Sequence, residues 1–141
     1  MSTTDNLKET IGSLQKEFTD NPDKAVLLYS STSRLEKGLQ SKAKVRDHNI
    51  TIDEPTSFGG KDEGPSPVEL ILAALGSCQE ITYKAFATAL GIDLKSVSVK
   101  LDAKLDLKGF LAIDDKTRPG FQNIDGIVKI ESTAPKDQLD K

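Results

Sequence analysis

Gly64-Pro65-Ser66-Pro67-Val68-Glu69-Leu70-Ile71-Leu72-Ala73-Ala74-Leu75-Gly76-Ser77-Cys78 is the stretch on which the fold turns. Pro65 and Pro67 fix a turn and pre-set the first helical turn. The run from Leu70 to Leu75 is wholly apolar. Gly76 and Ser77 then let another backbone come close to the thiol of Cys78, the chain's only cysteine. The pattern predicts a helix over residues 68–90, capped by Gly91. One stripe runs through Ile71, Ala74, Leu75, Cys78, Ile81, Thr82, Ala85 and Ala89. Leu72, Ala73, Phe86 and Leu90 make the other side apolar as well, so the helix is expected to be central rather than superficial. A lone cysteine in such a helix is either inert packing or a placed nucleophile.

Upstream, residues 54–67 form a loop by composition, long for a compact domain, and long loops often carry function. Phe58 is an aromatic beside Gly59 and Gly60, read either as a lid or as a plug under the loop. Residues 24–53 read as strands. Ala25–Tyr29 is an apolar run, Glu36-Lys37-Gly38 a tight turn, and a two-residue period follows from Leu39 to Ile52. Arg46 and His48 are expected on one strand face. Residues 3–20 read as a one-sided helix through Leu7, Ile11, Leu14 and Phe18, with Thr4 or Asp5 as its cap and Asn21-Pro22 as its stop.

Downstream, Val97 to Leu105 alternates apolar and polar residues, which marks a half-buried strand. Residues 108–120 read as a connection with a short strand at Phe110–Ile113, and Ile124–Ile130 as a further strand. Thr133 onward reads as the start of a helix about two turns long, too short to stand alone. The C-terminal end is therefore expected to be incomplete or to be completed by a partner.

With 141 residues the chain can build one domain with a real core. The formal charge of -3 gives no general attraction to nucleic acid or to an anionic membrane. No apolar run approaches the roughly 20 residues of a membrane span. The N-terminus lacks the basic and apolar parts of a secretory signal. One cysteine cannot form an internal disulfide, and these features together favour a reduced, cytoplasmic setting. One His and one Cys make a poor metal-ligand set, so neither a metal nor any other cofactor is expected.

The segments Gly59-Gly60, Gly64 to Leu70 and Ala73 to Cys78, with Val45-Arg46-Asp47-His48, Asp53-Glu54-Pro55 and Gly91-Ile92-Asp93-Leu94, resemble the OsmC/Ohr family. The resemblance covers residues 24–141 and leaves residues 1–23 as an N-terminal helical extension. It implies an α+β fold, with antiparallel sheets packed around a long central helix in an intertwined homodimer. It also implies a thiol-dependent, peroxiredoxin-like peroxidase that reduces organic hydroperoxides in oxidative stress, drawing on a thiol reductant. Cys78 matches the family's peroxidatic cysteine. Arg34 or Arg46 would be its activating cation. Glu69, one residue past the family's glutamate position, would anchor that arginine. The family's second, resolving cysteine has no counterpart here.

That chemistry suits these residue types. A thiolate attacks an O–O bond, and a cation beside it favours the thiolate over the thiol. Arginine stays charged and donates in a fixed fork. Each candidate also has a plainer reading: Cys78 as a small hydrophobe, Glu69 as a first-turn carboxylate, Arg46 as the wet face of a strand, Glu80 as a solvated or interface charge. The alternative to the enzyme is a non-catalytic, small-molecule-binding or structural dimer with a buried, inert Cys78.

Overall fold

The computed structural model describes residues 3–140. In chain order it contains α1 (Thr3–Asp20), β1 (Thr32–Lys37), β2 (Gln40–Val45), β3 (His48–Ile52), α2 (Pro67–Ala89), β4 (Leu94–Leu105), α3 (Leu107–Phe110), β5 (Phe121–Ser132) and α4 (Lys136–Leu139). The strands form two antiparallel sheets, β1-β2-β3 and β4-β5. The expected α+β class is therefore the observed one. The chain gathers into two compact units, one of residues 14–74 and one of residues 75–140 with the first turns of α1.

In α1, Leu7, Ile11 and Phe18 of the predicted stripe are half-buried, whereas its fourth member, Leu14, is exposed. A cap from Thr4 or Asp5 lies outside the described side chains. Pro22–Ala25 then makes one tight turn. The apolar run after it is not the strand expected: residues 26–31 belong to neither sheet. A strand needs a neighbouring strand for its backbone groups, and among the described residues no strand pairs with this segment.

In the first unit, two-residue turns join β1 to β2 and β2 to β3, closing at Lys37↔Gln40 and Val45↔His48. The register puts Arg34 opposite Lys42 and Lys42 opposite Thr51, so these share one polar face. Leu35, Ala43, Ile50 and Ile52 lie on the other. Arg46 is not on a strand face as expected. It sits in the β2–β3 turn at φ 53, because a turn this tight requires left-handed backbone there.

In the second unit, β4 and β5 pair over their whole length, with Val97, Val99 and Leu101 opposite Ile130, Val128 and Gly126. These positions share one face, as the alternation predicts. The expected strand at Phe110–Ile113 is instead the last residue of a single helical turn and the irregular turn after it. Asp106 caps that turn through Lys108 N–H at 3.0 Å. Asp114 holds the next turn by accepting from Lys116 N–H and the Thr117 hydroxyl at 3.0 and 2.7 Å. These local bonds compete successfully with a ladder. The C-terminal helix is one turn long, Lys136–Leu139.

Helix α2 runs from Pro67 to Ala89, one residue earlier at each end than expected. Gly91 closes it at φ 70, with Ile92 N–H bonded to Ala87 C=O at 2.8 Å.

Candidate functional site

Asp53 is the most buried side chain described, 1% exposed, at the end of β3. Its Oδ1 accepts from Glu54 N–H at 2.9 Å, and its Oδ2 from Lys61 and Glu63 N–H at 3.0 and 3.3 Å. Its own N–H donates to Pro65 C=O at 3.3 Å. One carboxylate thus gathers both ends of the loop that leads into α2. Burial pushes the Asp53 carboxyl upward, but the N–H groups of Glu63, Lys61 and Glu54 and the charge of Lys61 outweigh it, and the group lies below its ordinary value.

The same loop explains two glycines. A Cβ on Gly60 would fall 1.8 Å from Glu54 O, and one on Gly64 would fall 2.3 Å from Thr51 O. No side chain fits against backbone at those distances. Phe58 is 55% exposed, so it is not a plug beneath the loop.

The loop hands over to α2 through Ser66, itself buried. Glu69 Oε2 accepts from Ser66 N–H at 2.7 Å and from its hydroxyl at 2.9 Å, while Glu69 N–H reaches Ser66 Oγ at 3.5 Å. This is a capping box, with Pro67 at the first helical position. The Ser66 N–H and hydroxyl hold the Glu69 carboxyl below its ordinary value against a smaller effect of burial. The Ser-x-x-Glu spacing is legible in the sequence. The role of Asp53 is not, because its partners are backbone groups.

Beyond Leu75, α2 has two unlike sides. Gly76 faces Val99 and Leu101, Glu80 Oε1 accepts from Val99 N–H at 3.1 Å, and Lys84 Nζ donates to Leu94 C=O at 3.0 Å. Glu80 is therefore a strand-edge partner within the chain, where a solvated or interface charge was expected. Cys78 lies on the opposite side and is exposed. Leu75 and Ile81 of the predicted stripe are 36 and 70% exposed, and Phe86, expected on the other side, is 66% exposed as well. The predicted stripe is present, but within this chain it turns outward, and the expectation of a buried cysteine is corrected accordingly. A cavity of about 250 Å³ near the C-terminal end of the helix is lined by Tyr83, Phe86, Leu90, Leu94 and Ile130, without Cys78.

The other candidates fall as follows. Glu69 and Cys78 are nine residues apart on one helix, which puts them about 13 Å apart along the axis and half a turn round it. Arg34 is on the polar face of its sheet, with its side chain 81% exposed, and donates to Glu36 at 3.0 Å. Arg46 lines an open groove with Leu27, Tyr29 and Val45. Among the described residues no cluster of His, Cys, Asp and Glu could hold a metal ion.

The family model of OsmC-like proteins matches residues 60–141, from the second loop glycine through α2 and both strands of the second sheet. The chain belongs to the OsmC-like family. Solved structures agree on the fold. An OsmC-like protein of Mycoplasma pneumoniae superposes with a TM-score of 0.68 at 18% identity, over 81% of this chain and 76% of that one. A protein of Psychrobacter arcticus 273-4 gives 0.64 at 15% identity, over 82% and 79%. A Legionella pneumophila protein described as an organic hydroperoxide resistance protein OsmC gives 0.54 at 18% identity, over 82% and 79%. No curated protein matches the sequence. Among the described residues, no helix of this OsmC-like chain is long and apolar enough to cross a membrane.

Proposed function

We propose that this OsmC-like protein is a thiol-dependent peroxidase that reduces organic hydroperoxides through Cys78. The observation that carries the reading is an exposed thiol set among exposed apolar side chains on the outward side of α2. The name of the Legionella pneumophila protein points to the same substrate class. The Cys78 thiolate attacks one peroxide oxygen, the O–O bond breaks, and the other oxygen leaves as the alcohol after taking up a proton. Cys78 is left as a sulfenic acid. One thiol of an external reductant condenses with it and releases water. A second thiol then breaks that mixed disulfide and restores Cys78. The chain has one cysteine, so both reducing thiols come from outside it. An apolar surround favours alkyl hydroperoxides over hydrogen peroxide.

In this reading Arg34 or Arg46 is the activating cation and Glu69 its anchor. The protein works as a homodimer in which the outward side of α2 is covered, in a cytoplasmic setting that keeps thiols reduced. Residues 24–141 make up the domain. A chain lacking residues 1–23 is then expected to keep its dimeric state and its activity, and loss of either argues against that boundary.

Consumption of tert-butyl hydroperoxide with dithiothreitol tests the proposal. Wild type is expected to consume it far faster than an equal concentration of free thiol, and Cys78→Ser is expected to abolish the excess. Arg34→Ala and Arg46→Ala, made separately, are expected to slow the reaction in one case only. Equal rates for wild type and Cys78→Ser overturn the enzyme. The single cysteine favours a second reading, a non-catalytic dimer that binds a small molecule or serves structure alone. It predicts a Cys78 no more reactive than an ordinary thiol.

A further inference from the structure

The connection between β4 and β5, residues 106–120, presents an apolar cluster to solvent. Leu107, Phe110, Leu111 and Ile113 are 38, 63, 58 and 69% exposed. They stand at the end of the β4-β5 ribbon, beyond the pair Leu105↔Phe121. The backbone that carries them is bonded to itself. Leu111 N–H reaches Leu107 C=O at 2.8 Å, Ala112 N–H reaches Gly109 C=O at 3.2 Å, and Ile113 N–H reaches Lys108 C=O at 2.8 Å. A Cβ on Gly109 would fall 2.5 Å from Thr117 O, so the two halves of the loop touch through main chain. Backbone groups satisfied inside a loop can enter an apolar medium without losing their partners.

The charges beside the cluster depart from the balance of the whole chain, which carries a formal -3. Lys104, Lys108, Lys116 and Arg118 are all exposed, Lys108 beside Asp106 at 3.6 Å and Arg118 donating to Phe121 C=O. Of the loop's three carboxylates, Asp106 and Asp114 are half-buried and accept from the loop's own N–H groups at Lys108 and Lys116. Asp115 is the exposed one. Apolar side chains flanked by lysine and arginine match the acyl and phosphate layers of a lipid surface, where the long basic stems lie along the boundary and their charges meet the headgroups.

We propose that the β4–β5 loop docks this protein on a lipid surface that carries anionic headgroups, with Phe110, Leu111 and Ile113 entering the acyl boundary and the flanking cations meeting phosphate. So few apolar side chains make a reversible contact and not a permanent anchor. Alkyl hydroperoxides collect in the same apolar layer, so docking brings the enzyme to its substrate. That consequence rests on the function proposed above, whereas the docking itself does not.

The chain has no tryptophan, so Phe110→Trp places a single reporter in the loop. With vesicles of phosphatidylcholine holding about one quarter phosphatidylglycerol, the full chain is expected to co-sediment and the Phe110→Trp emission to shift to the blue. Ile113→Ser, at a residue 69% exposed, is expected to weaken vesicle binding about tenfold with the urea midpoint unchanged. Lys104→Glu with Lys116→Glu is expected to weaken it as well, and added salt to erase that difference. A chain that stays in the supernatant overturns the proposal, as does unchanged binding of either variant. Co-sedimentation with unshifted emission puts another surface on the lipid and also overturns it. A blue shift that grows with protein concentration in the absence of lipid gives the loop to a second copy and overturns it too. Peroxide consumption enters none of these readings, so their failure leaves the proposed function standing.

Discussion

The loop that leads into α2 and the helix beyond Leu75 answer the same problem in opposite ways. In the loop the polar groups find partners within a few residues: Asp53 takes three N–H groups, and Ser66 and Glu69 satisfy each other. In the helix, Leu75, Ile81 and Phe86 face water. Local bonds complete the first region inside one chain. The second carries the surface expected of a contact with something outside it. Shape is settled close to home in the loop, whereas the helix leaves an apolar side open within the chain.

Four experiments can break or sharpen that contrast. The largest effect is expected from Gly60→Ala, whose new methyl meets Glu54 O and forces the loop backbone apart, at about 3 kcal/mol or more of stability in urea unfolding. A loss under about 1 kcal/mol, the ordinary range for a surface change, means the loop is not held as described. Next comes Ile81→Lys, at a residue 70% exposed in the chain. It is expected to leave the monomer's unfolding midpoint unchanged while weakening self-association by about 2 kcal/mol, roughly 30-fold, in sedimentation. Unchanged association means the outward side of α2 is not the seam.

Asp53→Asn probes the loop through pH. The Asp53 carboxyl lies below its ordinary 3.8, so the stability its ionised form contributes is fully present above that value. It is lost as pH falls through the lower folded value. The gap in unfolding midpoint between wild type and Asp53→Asn should therefore be constant at neutral pH and close on acidification below 3.8. A gap that does not change with pH removes the charge from the argument. The smallest effect is expected from Ser66→Ala, about 1 kcal/mol for a lost helix cap. No loss in thermal unfolding would show that Pro67 alone starts the helix.

Much of the fold was legible because it rests on periodicity. The alternation from Val97 to Leu105 and the return of the two-residue period at Ile50 and Ile52 gave strands where strands are found. The helix ends could be read from Pro67 and Gly91. Ala25–Tyr29 misled because an apolar run reports burial on both faces, and the chain alone offers no second face. Phe110–Ile113 misled because Asp106 and Asp114 hold turns there by bonds that composition does not weigh. Of the candidate site, Cys78 and Glu69 stood out by position, yet the engagement of Glu69 with Ser66 and the outward side of Cys78 needed coordinates. Asp53 could not be read at all as an organiser, since main-chain amides leave no signature in side-chain spelling.

That last property has an evolutionary corollary. Because Asp53 grips Lys61 and Glu63 chiefly by their amides, with the Lys61 charge the smallest contribution, the clasp depends little on the identities of those two side chains. Drift along this stretch can retune charge and shape at the mouth of the helix without loosening its hinge points, provided the aspartate and the two cramped glycines stay. Randomising positions 61 and 63 in a library should return many folded clones, whereas randomising 53 or 60 should return few.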